Sequence, residues 1–269
     1  MTKDNGNGSG TEGRIVTERR GPLLLIGIDR PAKLNAFTPE MMAALSAAYS
    51  ELDDDPGLRC GVLFAYGGNF TAGIELDRFV ARMGAGEGLL PEGTVDPFGL
   101  RPPLRVKPVV VAVCGWCLTL GIELLLAADV TVAAADTRFR QHEVARGIMA
   151  AAGATIRMVE RAGWGNAMRY LLTGEEFGAD EALRLGFVQE VTAPGAELDR
   201  ALEIAATIAR QAPLAVAATR ASALKALSDG HAAAAADFGP TQRRLLASAD
   251  AAEGLRAFLE RRVGAFEGR

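Results

Sequence analysis

Glu123 and Glu143 are the residues in this 269-residue chain best suited to chemistry. Glu123 is the only acidic side chain between Val109 and Ala128, in a run otherwise apolar or small. A carboxylate buried without partners costs several kcal/mol or stays protonated, so a residue of this kind usually has a use. Glu143 follows just past the next strand-like segment. If the two face one pocket, one takes a proton from a water held between them while the other, kept protonated, delivers one. Two plainer readings stay open on spacing alone: a hydrogen-bonded structural Glu123 and an exposed loop Glu143.

Two further stretches share one form, a strand running into a small-residue turn and then a helix start: Phe70–Leu76 and Cys117–Leu124. A helix start presents backbone N–H groups without internal acceptors. Two such starts converging on one point make an oxyanion hole without any side chain, and losing one such donor costs roughly 10²–10³ in rate. Both turns also read as plain strand-to-helix connections. Gly68 and Gly73 have the spacing of a phosphate loop, but Ile74-Glu75 replace the required Lys and Ser/Thr. Gly84, Gly86 and Gly88 follow no strand and make no dinucleotide fingerprint. Cys114-Gly-Trp-Cys117 has redox spacing, yet as a thiol module it leaves Glu123 unexplained; two small apolar residues in a buried turn is the preferred reading. His142 reads as a structural neighbour of Glu143, and His231 in an Ala-rich helix as incidental.

The elements that position these residues follow from periodicity. RIVTERR (14–20) and LLLIGID (23–29) are strands split by Gly21-Pro22. Thr38 caps a helix with Pro39 at its first position, and Met42, Leu45, Tyr49 and Leu52 share one face of it. CGVLFA (60–65) is a short buried strand. Met83–Pro103, rich in Gly and Pro, reads as a mobile flap or insertion. Lys107–Ala135 gives strand, turn, helix and strand. Gly147–Gly163 is Ala/Gly-rich, 164–173 and 179–185 are helices, and 188–191 is a strand. Beyond Leu198 helices follow over 198–211, 213–227, 231–248 and 251–263. The whole is α/β.

Composition narrows the class. Half the residues are hydrophobic (49%) and 23% charged, as in a globular enzyme with a large core. A net charge of −4 supplies no basic footprint for nucleic acid. Three cysteines and two histidines speak against a Cys/His zinc site, and the odd cysteine count fits a reducing cytoplasm. Residues 1–13, polar and Gly/Asn-rich, lack the apolar core of a signal peptide and read as disordered. The apolar run 109–128 is interrupted by Glu123, Gly115 and Gly121, so a buried strand–turn–helix is expected rather than a membrane span.

The motifs IDRPAKLNAFTPEM, FTAGIEL, KPVVVAVCGWCLTLGIELLLAADVTVAAADTRFRQHE, LTGEEFGADEALRLGFVQEV and EGLRAFLERRVGAF occur in this order. Together they resemble the crotonase superfamily, enoyl-CoA hydratases most of all, from about residue 14 to the C-terminus. The resemblance implies a spiral of ββα units over 14–195 and a C-terminal all-helical trimerisation region over 196–269. A homotrimer or dimer of trimers is expected, acting on an acyl-CoA thioester, with coenzyme A carried by the substrate and no separate cofactor or metal. It also implies that the N–H groups of Ile74 and Leu120 form the oxyanion hole. Glu123 then activates water, and Glu143 supplies the proton to the α-carbon. Lys33, Leu34, Ala36 and Ala72 fall where the family holds CoA, and Phe258 and Arg261 match tail positions that reach CoA, often from an adjacent subunit. In such a family, hydration of a trans-2-enoyl-CoA leads; isomerisation of its double bond and a non-catalytic acyl-CoA-binding subunit are the alternatives.

Two departures from the family pattern stand out. Thr119-Leu120-Gly121 replaces the usual three glycines, which puts a leucine's bulk beside the thioester. His142 stands where many hydratases have proline.

Overall fold

The computed structural model describes residues 12–269, so the disorder expected of the N-terminal segment falls almost wholly outside the described residues. The strands are β1 (Arg14–Arg20), β2 (Leu23–Asp29), β3 (Cys60–Ala65), β4 (Val109–Val113), β5 (Trp116–Leu118), β6 (Val130–Ala134), β7 (Arg138–Arg140), β8 (Glu176–Gly178) and β9 (Glu190–Thr192). Six make one sheet in the order β1-β2-β3-β4-β6-β9, parallel except for the β1–β2 hairpin around Gly21-Pro22. Three short strands form a second sheet, β5-β7-β8. In each of two successive turns of the chain, one strand enters the large sheet and the next the small one: β4 then β5, β6 then β7. This is the repeat that the resemblance to the crotonase superfamily leads one to expect.

Because strand side chains alternate, the large sheet buries both faces. Leu24, Ile26 and Ile28 join Leu63, Val109, Val111 and Val113 in the main core. Leu23 and Leu25 face the other way with Val62, Val110 and Val132. There they meet Ala201, Ala205 and Ala209, one small-residue stripe of α7 (Glu197–Ala209), which lets that helix lie close on the sheet. Sequence reading of these strands as continuous apolar runs follows from this double burial.

Helix α1 (Pro39–Asp54) starts as expected: Thr38 accepts from the Met41 N–H at 3.2 Å, and Pro39 occupies the first turn, where no N–H is needed. Helix α2 (Leu76–Gly84) follows the Phe70–Leu76 turn, and α3 (Leu120–Ala127) the Cys117–Leu124 turn. The Ala/Gly-rich stretch contains a helix that composition hid, α4 (Ala154–Ala162), followed by α5 (Trp164–Thr173) and α6 (Ala179–Arg184). The tail comprises α7, α8 (Pro213–Ser228), α9 (His231–Ala236), α10 (Phe238–Leu246) and α11 (Ala249–Glu260). The single helix expected over 231–248 is therefore two. Pro240 has no N–H to give and its ring meets the carbonyl four residues back, so the helix breaks near Asp237.

Part of the expected flap is tied down. The Val95 N–H donates to Ser50 Oγ at 2.9 Å, and the Ser46 hydroxyl donates to the Val95 carbonyl at 2.6 Å. Asp96, itself buried, accepts from the N–H groups of Phe98, Leu100 and Arg101. Val95 and Phe98 reach the main core, and Arg157 donates to the Phe98 carbonyl at 2.6 Å. No helix among the described residues is long and apolar enough to cross a membrane.

Candidate active site

The segment 71–74 runs between two neighbours. On one side the Ala72 N–H donates to Leu34 O, the Phe37 N–H to Gly73 O and the Glu75 N–H to Phe37 O. On the other, the Thr71 N–H donates to Trp116 O, and Leu118 donates back to Thr71 O at 2.9 Å. Phe37 and Ile74 form a parallel bridge in which Ile74's neighbours make the bonds. The N–H of Ile74 therefore faces away from Phe37, the side on which the Cys117–Gly121 turn packs. Leu120 opens α3, so its N–H is one of the amides a helix start leaves without an internal acceptor. Among the described residues neither N–H donates within the chain.

Two glycines make this closeness possible. A Cβ on Gly73, whose φ is +101°, would run into Thr119 Oγ1. A Cβ on Gly121 would come within 2.7 Å of Thr71 Cγ2 and 3.0 Å of Cys117 Sγ. Leu120 itself has ordinary helical backbone and its side chain lies in the main core. The bulk expected beside the thioester is turned into that core, and the strained backbone of this turn belongs to Thr119, at φ 47° and ψ −108°.

Glu123 lies one turn into α3 and is 3% exposed. One oxygen accepts from the N–H groups of Ala152 at 2.7 Å and Ala154 at 3.2 Å, both in the turn that starts α4. Burial pushes its pKa up to about 7; the two amides hold it down in part, and the charge of Glu143 raises it further. Glu143 begins a short 3-10 helix, Glu143–Arg146. One of its oxygens accepts from Gln141 Nε2 at 2.7 Å, while the other is buried with no partner in the chain. Its pKa is likewise raised by burial. The two carboxyls thus feel each other in a poorly hydrated space, and each is held by a donor on one side only.

The loop from Lys33 to Ala36 lies against these turns. Asn35, fully buried, accepts from the Arg30 N–H and donates to the carbonyls of Tyr66 and Asn69, while its own carbonyl accepts from Thr71. Lys33, Leu34, Ala36, Ala72 and Ile74 are consequently neighbours. Phe258 and Arg261 are not brought to them within one chain. They sit at the end of α11, which packs on α10, and Phe258 is 79% exposed.

Several residues of this region escaped sequence reasoning: Gln141, the amides of Ala152 and Ala154, and Arg157, whose charge bears on Glu123. Gln141 had a signal. Phe139 and Gln141 are buried while Arg138 and Arg140 are exposed, the alternation of a strand with one inward polar residue. Cys114 and Cys117 are free thiols, and burial raises the pKa of each, opposite to the lowered pKa of a reactive redox thiol.

Comparison with known proteins gives this geometry relatives. A solved structure of a probable enoyl-CoA hydratase/isomerase from Mycobacterium abscessus superposes with a TM-score of 0.92 at 47% identity, over 95% of this chain and 98% of that one. Enoyl-CoA hydratase EchA19 of Mycobacterium tuberculosis is 32% identical over 258 residues, 94% of this chain and 96% of that protein. Mevalonyl-coenzyme A hydratase SIDH of Beauveria bassiana is 35% identical over 210 residues, 75% of each. The family model described as enoyl-CoA hydratase/isomerase matches residues 18–269. A match of that length, carried by a spiral with the same turns, makes this chain a member of the enoyl-CoA hydratase/isomerase family, within the crotonase superfamily.

Proposed function

We propose that the protein adds water across the double bond of a trans-2-enoyl-CoA, or removes it from the 3-hydroxyacyl thioester. The observation that carries this reading is the pair of carboxyls, Glu123 buried and Glu143 half-buried with one oxygen out of solvent, beside two amides without internal acceptors. The thioester oxygen accepts from Ile74 and Leu120, which stabilises the charge it gains as water attacks. With a pKa of about 7, Glu123 is ionised in half the molecules at neutral pH and strong enough to take a proton from water. As Glu123 takes that proton the water oxygen bonds to the β-carbon, the electron pair moves toward the thioester oxygen, and protonated Glu143 gives its proton to the α-carbon. Solvent then resets both groups.

Lys33, Leu34, Ala36 and Ala72 are assigned to the coenzyme A moiety of the substrate; no separate cofactor enters. Phe258 and Arg261 would act from a neighbouring copy, which fits their exposure and assigns the helical tail to a homotrimer or a dimer of trimers. Three free cysteines suit a cytoplasmic enzyme. SIDH, by its name, hydrates a mevalonyl thioester, so branched and polar acyl groups belong in any substrate panel.

The test is to mix purified protein with straight-chain enoyl-CoA thioesters of four to ten carbons and a branched set, following loss of the conjugated thioester absorbance and product mass. Glu123→Gln and Glu143→Gln should each lower hydration by roughly 10²–10⁴. Double-bond migration surviving in one of the two variants would instead mark an isomerase. Tight thioester binding with no turnover by the wild type would mark a non-catalytic binding subunit.

A further inference from the structure

Thr119 has a backbone that a β-branched residue rarely adopts. Leu34 and Arg261 also have positive φ, but with ψ of 36° and 43° they lie in the ordinary left-handed well. Thr119, at φ 47° and ψ −108°, lies outside it, in a region open to glycine and strained for any residue with a Cβ. Such strain persists only where the surroundings over-determine it. Here the Thr119 N–H donates to Arg140 O at 2.9 Å, and its carbonyl accepts from Ile122 at 2.9 Å and Glu123 at 3.2 Å.

The side chain has a distinct place. Its Oγ1 occupies the space that a Cβ on Gly73 would take, and Gly73 itself sits at φ +101°. Each residue is thus adjacent in sequence to one of the two amides: Gly73 precedes Ile74, and Thr119 precedes Leu120. A glycine at 119 would satisfy the backbone with no strain but leave that space empty. The threonine is therefore explained by its hydroxyl rather than by the turn.

We infer that Thr119 is a positioning residue whose Oγ1, seated against Gly73, sets the distance between the Ile74 and Leu120 N–H groups. The inference rests on the hydratase reading, in which those amides grip one oxygen. The contact acts as a spacer. It keeps both donors aimed at the place the oxygen occupies as charge builds, and an error of about 1 Å there costs on the order of a hundredfold.

The test compares Thr119→Gly and Thr119→Ser with wild type in three measurements: melting midpoint, kcat and KM on a short enoyl thioester, and the absorbance of a bound 2,4-dienoyl-CoA. The last shifts to the red when its carbonyl oxygen is hydrogen-bonded. The Gly variant should melt at the same temperature or roughly 2–6 °C higher as strain is relieved. Its kcat should fall about 10- to 100-fold, its KM change less than about threefold, and its red shift shrink. The Ser variant should keep wild-type kcat and shift. A Gly variant with wild-type kcat and spectrum overturns the inference. So does a Ser variant as impaired as Gly, or a Gly variant that loses stability together with activity. A wild-type chain with neither turnover nor any spectral shift removes the hydratase reading and the inference with it; normal wild-type behaviour with an unaltered Gly variant removes the inference alone.

Discussion

Replacing Glu123 by Gln tests the burial of that carboxyl without any assay of activity. Its pKa in the folded chain is about 7, against an ordinary value of 4.5. A raised folded pKa means that the native state binds the proton more tightly than the unfolded chain does. The stabilisation from that proton is complete below pH 4.5 and is lost as pH rises to 7, after which the loss is constant. At about 1.4 kcal/mol per pH unit, the wild type should lose about 2–3 kcal/mol between pH 5 and pH 8 from this group alone. Glutamine keeps an oxygen for the Ala152 and Ala154 amides and never ionises. The variant should therefore match wild type near pH 5 and exceed it by about 2–3 kcal/mol at pH 8, a gap of roughly 4–6 °C in melting midpoint for a chain of this size. Paired melts or denaturant titrations at pH 5, 6, 7 and 8, at one protein concentration, measure the difference with titrating groups other than the neighbouring Glu143 cancelled. A difference that stays flat across this range would refute the reasoning, because it would mean that Glu123 ionises as freely in the folded chain as outside it.

Three other outcomes follow from the same coordinates. Gln141→Leu removes the donor to the ionised form of Glu143, so the Glu143 pKa should rise and, because hydration needs Glu143 protonated, the basic limb of the pH–rate profile should move to higher pH, with kcat down about tenfold. Gly121→Ala forces a methyl group against Thr71 and Cys117; it should cost about 1–3 kcal/mol in a denaturant titration and lower activity by parting the two turns. Leu246, Phe258 and Leu259 are exposed on the tail; if they meet a neighbouring copy, Leu246→Asp should reduce the mass measured by light scattering, and an unchanged mass would exclude that face.

How much of this was legible in the chain depended on the length of each element. The central strands of the large sheet, buried on both faces, read directly as apolar runs such as LLLIGID and VVVAV, and the cap Thr38-Pro39 marked α1 to the residue. The small sheet did not read, because strands of three residues carry too little alternation to register. Helix α4 was hidden by a run of Ala and Gly that composition cannot tell from loop, and Pro240 split a tail helix that periodicity alone made continuous. At the site, Glu123 stood out because a lone acid in an apolar run is costly. Gln141 could have been found from the Arg-Phe-Arg-Gln alternation. The amides of Ala152 and Ala154 could not: they act through backbone, and alanine says nothing about where its N–H points. The strain on Thr119 was likewise out of reach, since the glycine-poor turn drew suspicion to Leu120, one residue too far along.

The two amides of Ile74 and Leu120 that find no acceptor in the chain belong to the main chain, which places them beyond the genetic code. Any of the twenty residues except proline would present the same N–H, so a replacement at 74 or 120 alters side-chain packing against the core while the polar group stays. A scan of single replacements would therefore score both positions as core packing and overlook the amides. Only an edit of the backbone itself, an ester in place of one peptide link installed by chemical ligation or an expanded code, would delete the group and leave the side chain untouched.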